Sequence, residues 1–437
     1  MQVSSSRTDS LTLHRISNTP MQSEIITIGD ELLIGQTVDT NSAWMAKKLN
    51  AIGVSVFQIT SVSDDASHIL SALREASERS DLVLITGGLG PTKDDITKQT
   101  LCQYFDTHLI MHDDVRERIE AYFASRGLPA LEVNKKQAEM PANATVLPNS
   151  KGTAQGMWFE KEGTVYVSMP GVPYEMQCIM EDHLLELIQK KFKRPHIEHY
   201  TIQTSGIGES MLAALVEDWE NSLGADGISL AYLPSPGIVK LRLTSIGENK
   251  KAIQEKVQRK ASEFKNLAAK YIFGDGDDQI EDVVGKLLEQ KEMTLSTAES
   301  CTGGTIASSI TKRPGSSAYF IGGIVAYNDD VKINLLGVQA ETLQKCGAVS
   351  AETVIEMAEG ARKSLNTTFS VATSGIAGPD GGTETKPVGL IYVAVSGPQG
   401  TVVEELKFSS DRERNVLRTT RSALSLLRIE ILRCQAL

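Results

Sequence analysis

No histidine follows His199; all seven of the chain's histidines lie at or before that position. A Ser–His–Asp or Cys–His pair is therefore excluded from the second half of the 437-residue chain, and so is a histidine-ligated metal there. Cysteine is sparse as well. Cys102, Cys178, Cys301, Cys346 and Cys434 are scattered singly, with no CxxC and an odd total of five. That usage argues against a disulfide frame or a zinc knuckle and for reduced thiols in a cytoplasm. Basic excess is missing too, since the net charge is −11 and the pI about 5.3. Such a chain is a poor default binder of DNA or of an anionic membrane, so nucleic acid is an unlikely partner unless a local patch supplies the charge. No apolar run is long enough to span a membrane. Residues 1–20 are Ser/Thr-rich and lack the apolar centre of a signal peptide. They read as a disordered tail, taken here as 1–21, or as sequence ahead of a natural start at Met21.

What is present suits folded cores throughout: 41% of residues are hydrophobic and 23% charged. The length allows roughly two to four domains. Glu24 to Ile28 reads as a buried parallel strand, Val54 to Thr60 as a second and Asp81 to Ile85 as a third. Helices between them begin at Asp39 or Thr40 and at Asp65. This alternation predicts a doubly wound α/β domain over 22–195, with ligands beyond the strand C-termini. Two features lie at that edge. One is Asp30 and Glu31. The other is the loop from Thr86 through Gly87, Gly88 and Gly90 to Thr92, followed by Asp94 and Asp95. Glycines let the backbone approach a phosphate, and a helix start after Thr92 would point its N–H groups at it. Asp30, Glu31, Asp94 and Asp95 would repel a phosphate unless a divalent cation lay between, and hard oxygen ligands suit Mg²⁺. An ordinary βα turn with helix-capping acids would look similar. Helices are expected over Asp114–Gly127 and Leu131–Met140, then a hairpin (Gln155–Phe159 and Thr164–Ser168), then a helix entered at Pro173.

The basic stretch Lys190 to His196 marks a boundary. Residues 196–273 read as a small α+β domain, and the acidic turn 274–278 as a linker. The last domain is 279–437. Its central stretch is Thr297 to Gly304, a strand running into a tight turn and a helix start. A hydroxyl there would have unpaired helix N–H groups beside it as an oxyanion hole, although Ser and Thr before a helix also serve as caps. With no imidazole available, a nucleophilic Ser300 needs Lys, Tyr or a carboxylate as its base, and Tyr327 and Lys332 are the attractive pair. A buried lysine can accept a serine proton. Cys301 is the rival nucleophile. Ser374 to Gly382 offers backbone amides, and Arg412, Arg414 and Arg418 offer guanidiniums suited to a phosphorylated substrate.

Ala298-Glu299-Ser300-Cys301-Thr302-Gly303-Gly304, Gly347 to Ser350, Ser374 to Gly382 and Lys386 to Gly389 resemble the C-terminal domain of the competence/damage-inducible protein A (CinA) family. Gly29 to Glu31, Thr86 to Asp95 and Met169 to Glu175 resemble the molybdopterin-binding-like domain that precedes it. The 196–273 stretch resembles a KH-type fold. The resemblance implies a bifunctional hydrolase of pyridine-nucleotide salvage. The C-terminal domain would convert nicotinamide mononucleotide to nicotinate mononucleotide and ammonia, without a cofactor. Ser300, Tyr327 and Lys332 would be catalytic; Cys301, Thr302, Gly303, Gly304, Ser374, Gly375, Gly378 and Arg412 would line the substrate. The N-terminal domain would hydrolyse ADP-ribose to AMP and ribose 5-phosphate with a divalent cation. Thr86, Gly87, Gly88, Gly90 and Thr92 would hold the nucleotide, and Asp30, Glu31, Asp94 and Asp95 the metal. A homodimer is also implied. Two other readings stay open: a non-catalytic competence or DNA-repair adaptor, and a molybdopterin-handling protein.

Overall fold

The computed structural model describes residues 21–92, 95–192, 195–409 and 411–434. The 1–20 stretch and Asp94 lie outside them. Two compact units emerge, one running to Ile197 and taking in Ile246–Lys250, the other made of Glu198–Ser245 and Lys251 onward.

The first unit is built on a six-stranded sheet. Its strands are β1 (Gln22–Ile28), β2 (Ser55–Val62), β3 (Leu82–Thr86), β6 (Thr145–Leu147), β7 (Gly156–Lys161) and β8 (Thr164–Met169), in the order β2-β1-β3-β8-β7-β6. A separate small ladder joins β4 (Leu109–Met111) to β5 (Glu139–Pro141). Strands β2, β1, β3 and β8 run parallel, while β7 and β6 extend the sheet antiparallel. Ile25 and Ile26 are both fully buried yet belong to different cores. Successive residues of a strand face opposite sides, so both faces must be covered. The Thr40–Ala51 helix covers one face with Met45 and Leu49, and the Ala66–Arg79 helix the other with Ile69 and Leu73. Each such side chain contributes roughly 1.5–3 kcal/mol by burial. The doubly wound expectation holds.

One buried charge was not anticipated. Glu24, fully buried on β1, accepts from Arg79 Nε (2.9 Å) and Nη2 (3.0 Å) and from Thr60 Oγ1 (2.8 Å). The helix expected over Leu131–Met140 shrinks to Glu132–Lys135 and a single tighter turn, because Glu139–Pro141 pairs with β4. Met140 precedes a proline, which disfavours helical backbone there.

The second unit carries two sheets. Strands β9 (His196–Ser205), β10 (Ile228–Ser235), β11 (Ile238–Gly247) and β12 (Ile272–Asp275) form a sheet in the order β10-β11-β9-β12. Strand β12 takes the first two residues of the stretch read as a linker. The helical stretch after β9 breaks at Val216 into Glu209–Leu215 and Glu217–Ser222. The other sheet has β13 (Leu295–Glu299), β14 (Phe320–Val325), β15 (Phe369–Gly375), β16 (Leu390–Gly397) and β17 (Gly400–Lys407), in the order β14-β13-β15-β16-β17. Strands β14, β13 and β15 are parallel; β16 and β17 are antiparallel additions. Leu295 and Val371 face one core, with the Ile280–Gln290 helix and the C-terminal helix Arg412–Arg433. Ala298, Ala372 and Ala394 face the other, where small side chains admit the Ala351–Ser364 helix. Among the described residues no helix is long and apolar enough to cross a membrane.

Candidate functional sites at two strand edges

In the C-terminal sheet, Val325, Glu299 and Thr373 form one transverse row across β14, β13 and β15. The three strands are parallel, so the residues that follow them emerge at one edge. Those residues are Ala326 and Tyr327, Ser300, and Ser374. Backbone bonds fix the row's end: Ala326 N–H donates to Glu299 O (2.8 Å) and Ser300 N–H to Thr373 O (3.0 Å). Ser300 is half-buried, and its hydroxyl has no partner among the described residues. Lys332 is 1% exposed, and its Nζ meets the Asp329 carboxylate at 3.1 Å. Tyr327 is 61% exposed. Its phenol oxygen accepts from Arg412 Nη2 (3.0 Å), while Nη1 of the same guanidinium donates to Gly378 O (2.8 Å). Arg412 thus ties the tyrosine to the 376–389 loop.

The turn differs from its sequence reading in one important way. The N–H groups at the start of the Thr305–Thr311 helix are not free. The buried Glu299 carboxylate accepts from Gly304 N (3.0 Å), Ile306 N (3.0 Å), Ala307 N (2.8 Å) and Thr302 Oγ1 (2.7 Å). An internal anion therefore fills the helix N-terminus, as the macrodipole favours. Neither the Cys301 nor the Thr302 amide bonds to another described residue, the Cys301 amide facing its own thiol. Gly303 (φ 59°) and Gly304 (φ 96°) let the chain fold tightly around the carboxylate. Cys301 points into the core, and burial pushes its thiol up to about 12. It is neither an activated nucleophile nor a side-chain contact for a substrate. The Thr302 hydroxyl is committed to Glu299 and Thr373. Ser374 is 1% exposed and donates to Ala348 O (2.6 Å), so it anchors the 347–350 loop. Gly375 is set by packing, since a Cβ there would lie 2.5 Å from Ile391 Cγ1.

In the first unit, the edge beyond β1, β2 and β3 opens into a cavity of about 500 Å³. Gly88 and Leu89 present amides with no partner among the described residues. Gly90 N and Thr92 N, expected at a phosphate, instead donate to Asp95 Oδ1 (2.8 Å) and Oδ2 (2.9 Å). Asp95 also takes the Thr92 hydroxyl, so it shapes the loop rather than standing ready for a metal. Thr86 is 3% exposed and donates to Pro170 O (2.9 Å). Gly87 (φ 117°) and Gly88 (φ 64°) have no room for a Cβ, which would meet Ile28 O and Thr97 Oγ1 at 2.1 Å.

The sequence reading missed Asp64. Asp30 N–H donates to Asp64 Oδ2 (3.0 Å). Burial and then the charges of Asp30, Glu31 and Asp95 hold the Asp64 carboxyl above its ordinary value, against the pull of the Asp30 amide. The acids lining the cavity are Glu31, Asp64, Asp95 and Glu175, and Asp30 adjoins them through its bonds with Asp64. Among the described residues, no three of His, Cys, Asp or Glu form a ready ligand set. Mg²⁺ commonly uses one or two carboxylates plus substrate phosphates, and a crowded acidic edge beside free loop amides fits that mode. Glu175 was missed as well. It lines the cavity, accepts from Asn149 Nδ2 (2.6 Å), and is raised by burial. Position offered a signal for both: Asp64 follows β2 at the same edge as Asp30, and Glu175 sits in the first turn after β8.

Behind the loop, Lys98 Nζ donates to Gln137 O (3.0 Å), and burial lowers its pKa from 10.5 to about 8. The folded state thus binds this proton less tightly than the unfolded chain. Its contribution to stability should rise with pH between about 8 and 10.5. Lys98→Met should stabilise the unit at neutral pH, by on the order of 3 kcal/mol at most, and flatten that limb. Urea unfolding of both chains across pH 7–10 would check it roughly within the stable range of each.

A multidomain α/β protein with a hydroxyl and a buried lysine at one sheet edge and a glycine loop among acids at another is a hydrolase-type architecture. Three family models match in order: a probable molybdopterin binding domain over 24–190, the damage-inducible protein CinA KH domain over 199–274, and the CinA C-terminal domain over 277–431. The chain is 47% identical over 414 residues to a CinA-like protein of Cytophaga hutchinsonii, covering 95% of this chain and 99% of that one. It is 44% identical over 418 residues to a CinA-like protein of Flavobacterium psychrophilum, covering 94% and 99%. The chain belongs to the CinA family. Among solved structures, the competence/damage inducible protein CihA of Agrobacterium tumefaciens is 38% identical, matching 36% of this chain and 97% of its own length with a TM-score of 0.34.

Proposed function

We propose that the chain is a two-site hydrolase of pyridine-nucleotide salvage. Its C-terminal site would release ammonia from nicotinamide mononucleotide, leaving nicotinate mononucleotide. The observation that carries this reading is the Val325–Glu299–Thr373 row, which brings Ser300 and Tyr327 to one edge. Ser300 Oγ attacks the carboxamide carbon, and its proton passes to Tyr327 or Lys332. That proton leaves with the amine as ammonia, and water then cleaves the acyl-serine to the carboxylate. The Cys301 and Thr302 amides are the donors for the oxyanion. Once Lys332 has taken that proton, the Asp329 carboxylate at 3.1 Å favours the resulting ammonium, which lends positive potential to the developing negative oxygen. Arg412 positions Tyr327 and adds a guanidinium for the substrate phosphate.

The N-terminal site would split ADP-ribose to AMP and ribose 5-phosphate. Asp30, Glu31 and Asp64 would hold a divalent cation, which would neutralise the pyrophosphate. Gly88 and Leu89 would donate to a phosphate oxygen, and Glu175 stands where it could hold a proton in the cavity. A homodimer in the cytoplasm completes the proposal, the location resting on five separate cysteines. Two assays of the full chain test it. Ammonia should appear from nicotinamide mononucleotide, and AMP from ADP-ribose with loss of the latter under EDTA. The absence of both products would remove the proposal; AMP formation indifferent to EDTA would remove the cation.

A further inference from the structure

The C-terminal helix has a second job besides presenting Arg412. Arg421 Nη1 donates to Pro236 O (2.6 Å) and Ser235 Oγ (3.3 Å), Ser425 Oγ meets Ser205 Oγ (2.9 Å), and Arg428 donates to Ile272 O. These bonds clasp the β9–β12 sheet to one face of the helix. Nearer the helix start, the same face carries Arg414, Arg418 and Ser422, spaced four residues apart and so aligned. There the two surfaces do not close, and a cavity of about 720 Å³ remains. That volume lies within the range of small-molecule sites.

The walls have a definite chemistry. Met211, Ile238, Leu406 and Phe408 supply apolar surface, and Arg414 and Arg418 supply positive charge. Arg418 is half-buried, with its guanidinium 4.1 Å from the centre of the Phe408 ring. Stacking of that kind holds the planar fork in one orientation. No carboxylate pairs with it among the described residues, so its N–H donors are available. Among the described residues Arg414 reaches only Asp411, at 3.4 Å, and both are largely exposed. Glu209 is the one acid on the wall among the described residues, which leaves the cavity net positive.

The cavity is separate from the Ser300 edge. Leu406 lies on β17 and Phe408 just beyond it, whereas Ser300 follows β13. The two strands are three places apart in the sheet, ~14 Å at the usual strand spacing. Arg412, which belongs to the Ser300 edge, turns toward Tyr327 and Gly378.

We propose that this cavity binds a small molecule with a flat apolar body and one phosphate or carboxylate. The anion would sit on the Arg418 and Arg414 forks, and the body against Phe408, Ile238 and Met211. This inference does not depend on the reaction proposed for the Ser300 edge. Phenyl phosphate, benzoate and phenol, each titrated calorimetrically into the full chain, test it. Saturable binding of either anion with none of phenol is expected, and which anion binds more tightly identifies the charged group. Arg418→Gln should weaken that binding at least tenfold, whereas Arg412→Gln should leave it within about twofold. Met211→Trp should also weaken it by filling the cavity, and Met211 is 66% exposed, so this variant decides the matter if Arg418→Gln does not fold. No saturable binding of either anion, equal binding of phenol, undiminished binding in Met211→Trp, or loss confined to Arg412→Gln would each overturn the proposal.

Discussion

Ser300→Ala is expected to abolish ammonia release from nicotinamide mononucleotide, by roughly 10⁴- to 10⁶-fold, the range seen when one member of a catalytic triad is removed. Its melting temperature should barely change. The Ser300 hydroxyl has no partner among the described residues, so its loss strands no buried group. That separation makes the result readable: activity goes while the fold stays. Lys332→Met should also fall steeply, but it removes a fully buried amine bonded to Asp329, so its effect mixes chemistry with stability. Tyr327→Phe is the cleaner companion, because the ring is 61% exposed and only the bond from Arg412 is lost. Ammonia release at the parental rate in Ser300→Ala would remove the serine as nucleophile. Cys301 could not take its place, since burial holds that thiol at about 12. AMP release from ADP-ribose should be unchanged in the same variant.

The alternation of strands and helices was legible in both α/β parts because strands buried on two faces carry continuous apolar runs, as Ile25–Ile26 do. Caps were legible too: Asp39 and Asp65 each accept from helix N–H groups that follow. Ladders that depend on distant partners were not. Nothing local marks Glu139–Pro141 or Ile272–Asp275 as strands; their pairing with β4 and with β9 decides it. The Ser300, Tyr327 and Ser374 positions could be proposed from sequence, but their shared edge is a product of sheet order.

The side-chain roles were the least legible part. A motif shows which polar groups are present, while their hydrogen-bond partners are chosen in three dimensions. Asp95 looks like a metal ligand until the amides of Gly90 and Thr92 are found on it. Thr302 and Ser374 look like substrate contacts until their hydroxyls are traced to Glu299 and Ala348. Asp64, which no motif singles out, shares a bond and a field with Asp30. In each case the polar atom satisfies a buried or strained part of the loop, and the loop in turn leaves other backbone groups open. The amides of Gly88 and Leu89 at one edge, and of Cys301 and Thr302 at the other, are the donors left over.

The largest effect on stability is expected from Glu299→Ala. The carboxylate is 1% exposed and, among the described residues, pairs with no cation; it is held by three N–H groups at the helix start and the Thr302 hydroxyl. Hydrogen bonds to a buried anion are short and strong. Deleting the acceptor strands four donors away from water, and each costs roughly 1–3 kcal/mol. Several such losses approach the whole stability of an ordinary domain, roughly 5–15 kcal/mol. Glu299→Ala should therefore unfold the C-terminal part, or lower its melting point by about 10 °C or more, in calorimetry of the full chain. Glu299→Gln keeps the shape and one acceptor oxygen but turns an amide donor toward amide donors. It should fold, melt several degrees below the parent, and lose ammonia release out of proportion, because the Cys301 and Thr302 amides are aimed by the turn that Glu299 ties to the helix. A Glu299→Ala chain that melts with the parent would mean that the helix start does not need its internal anion, and an external one could then take its place.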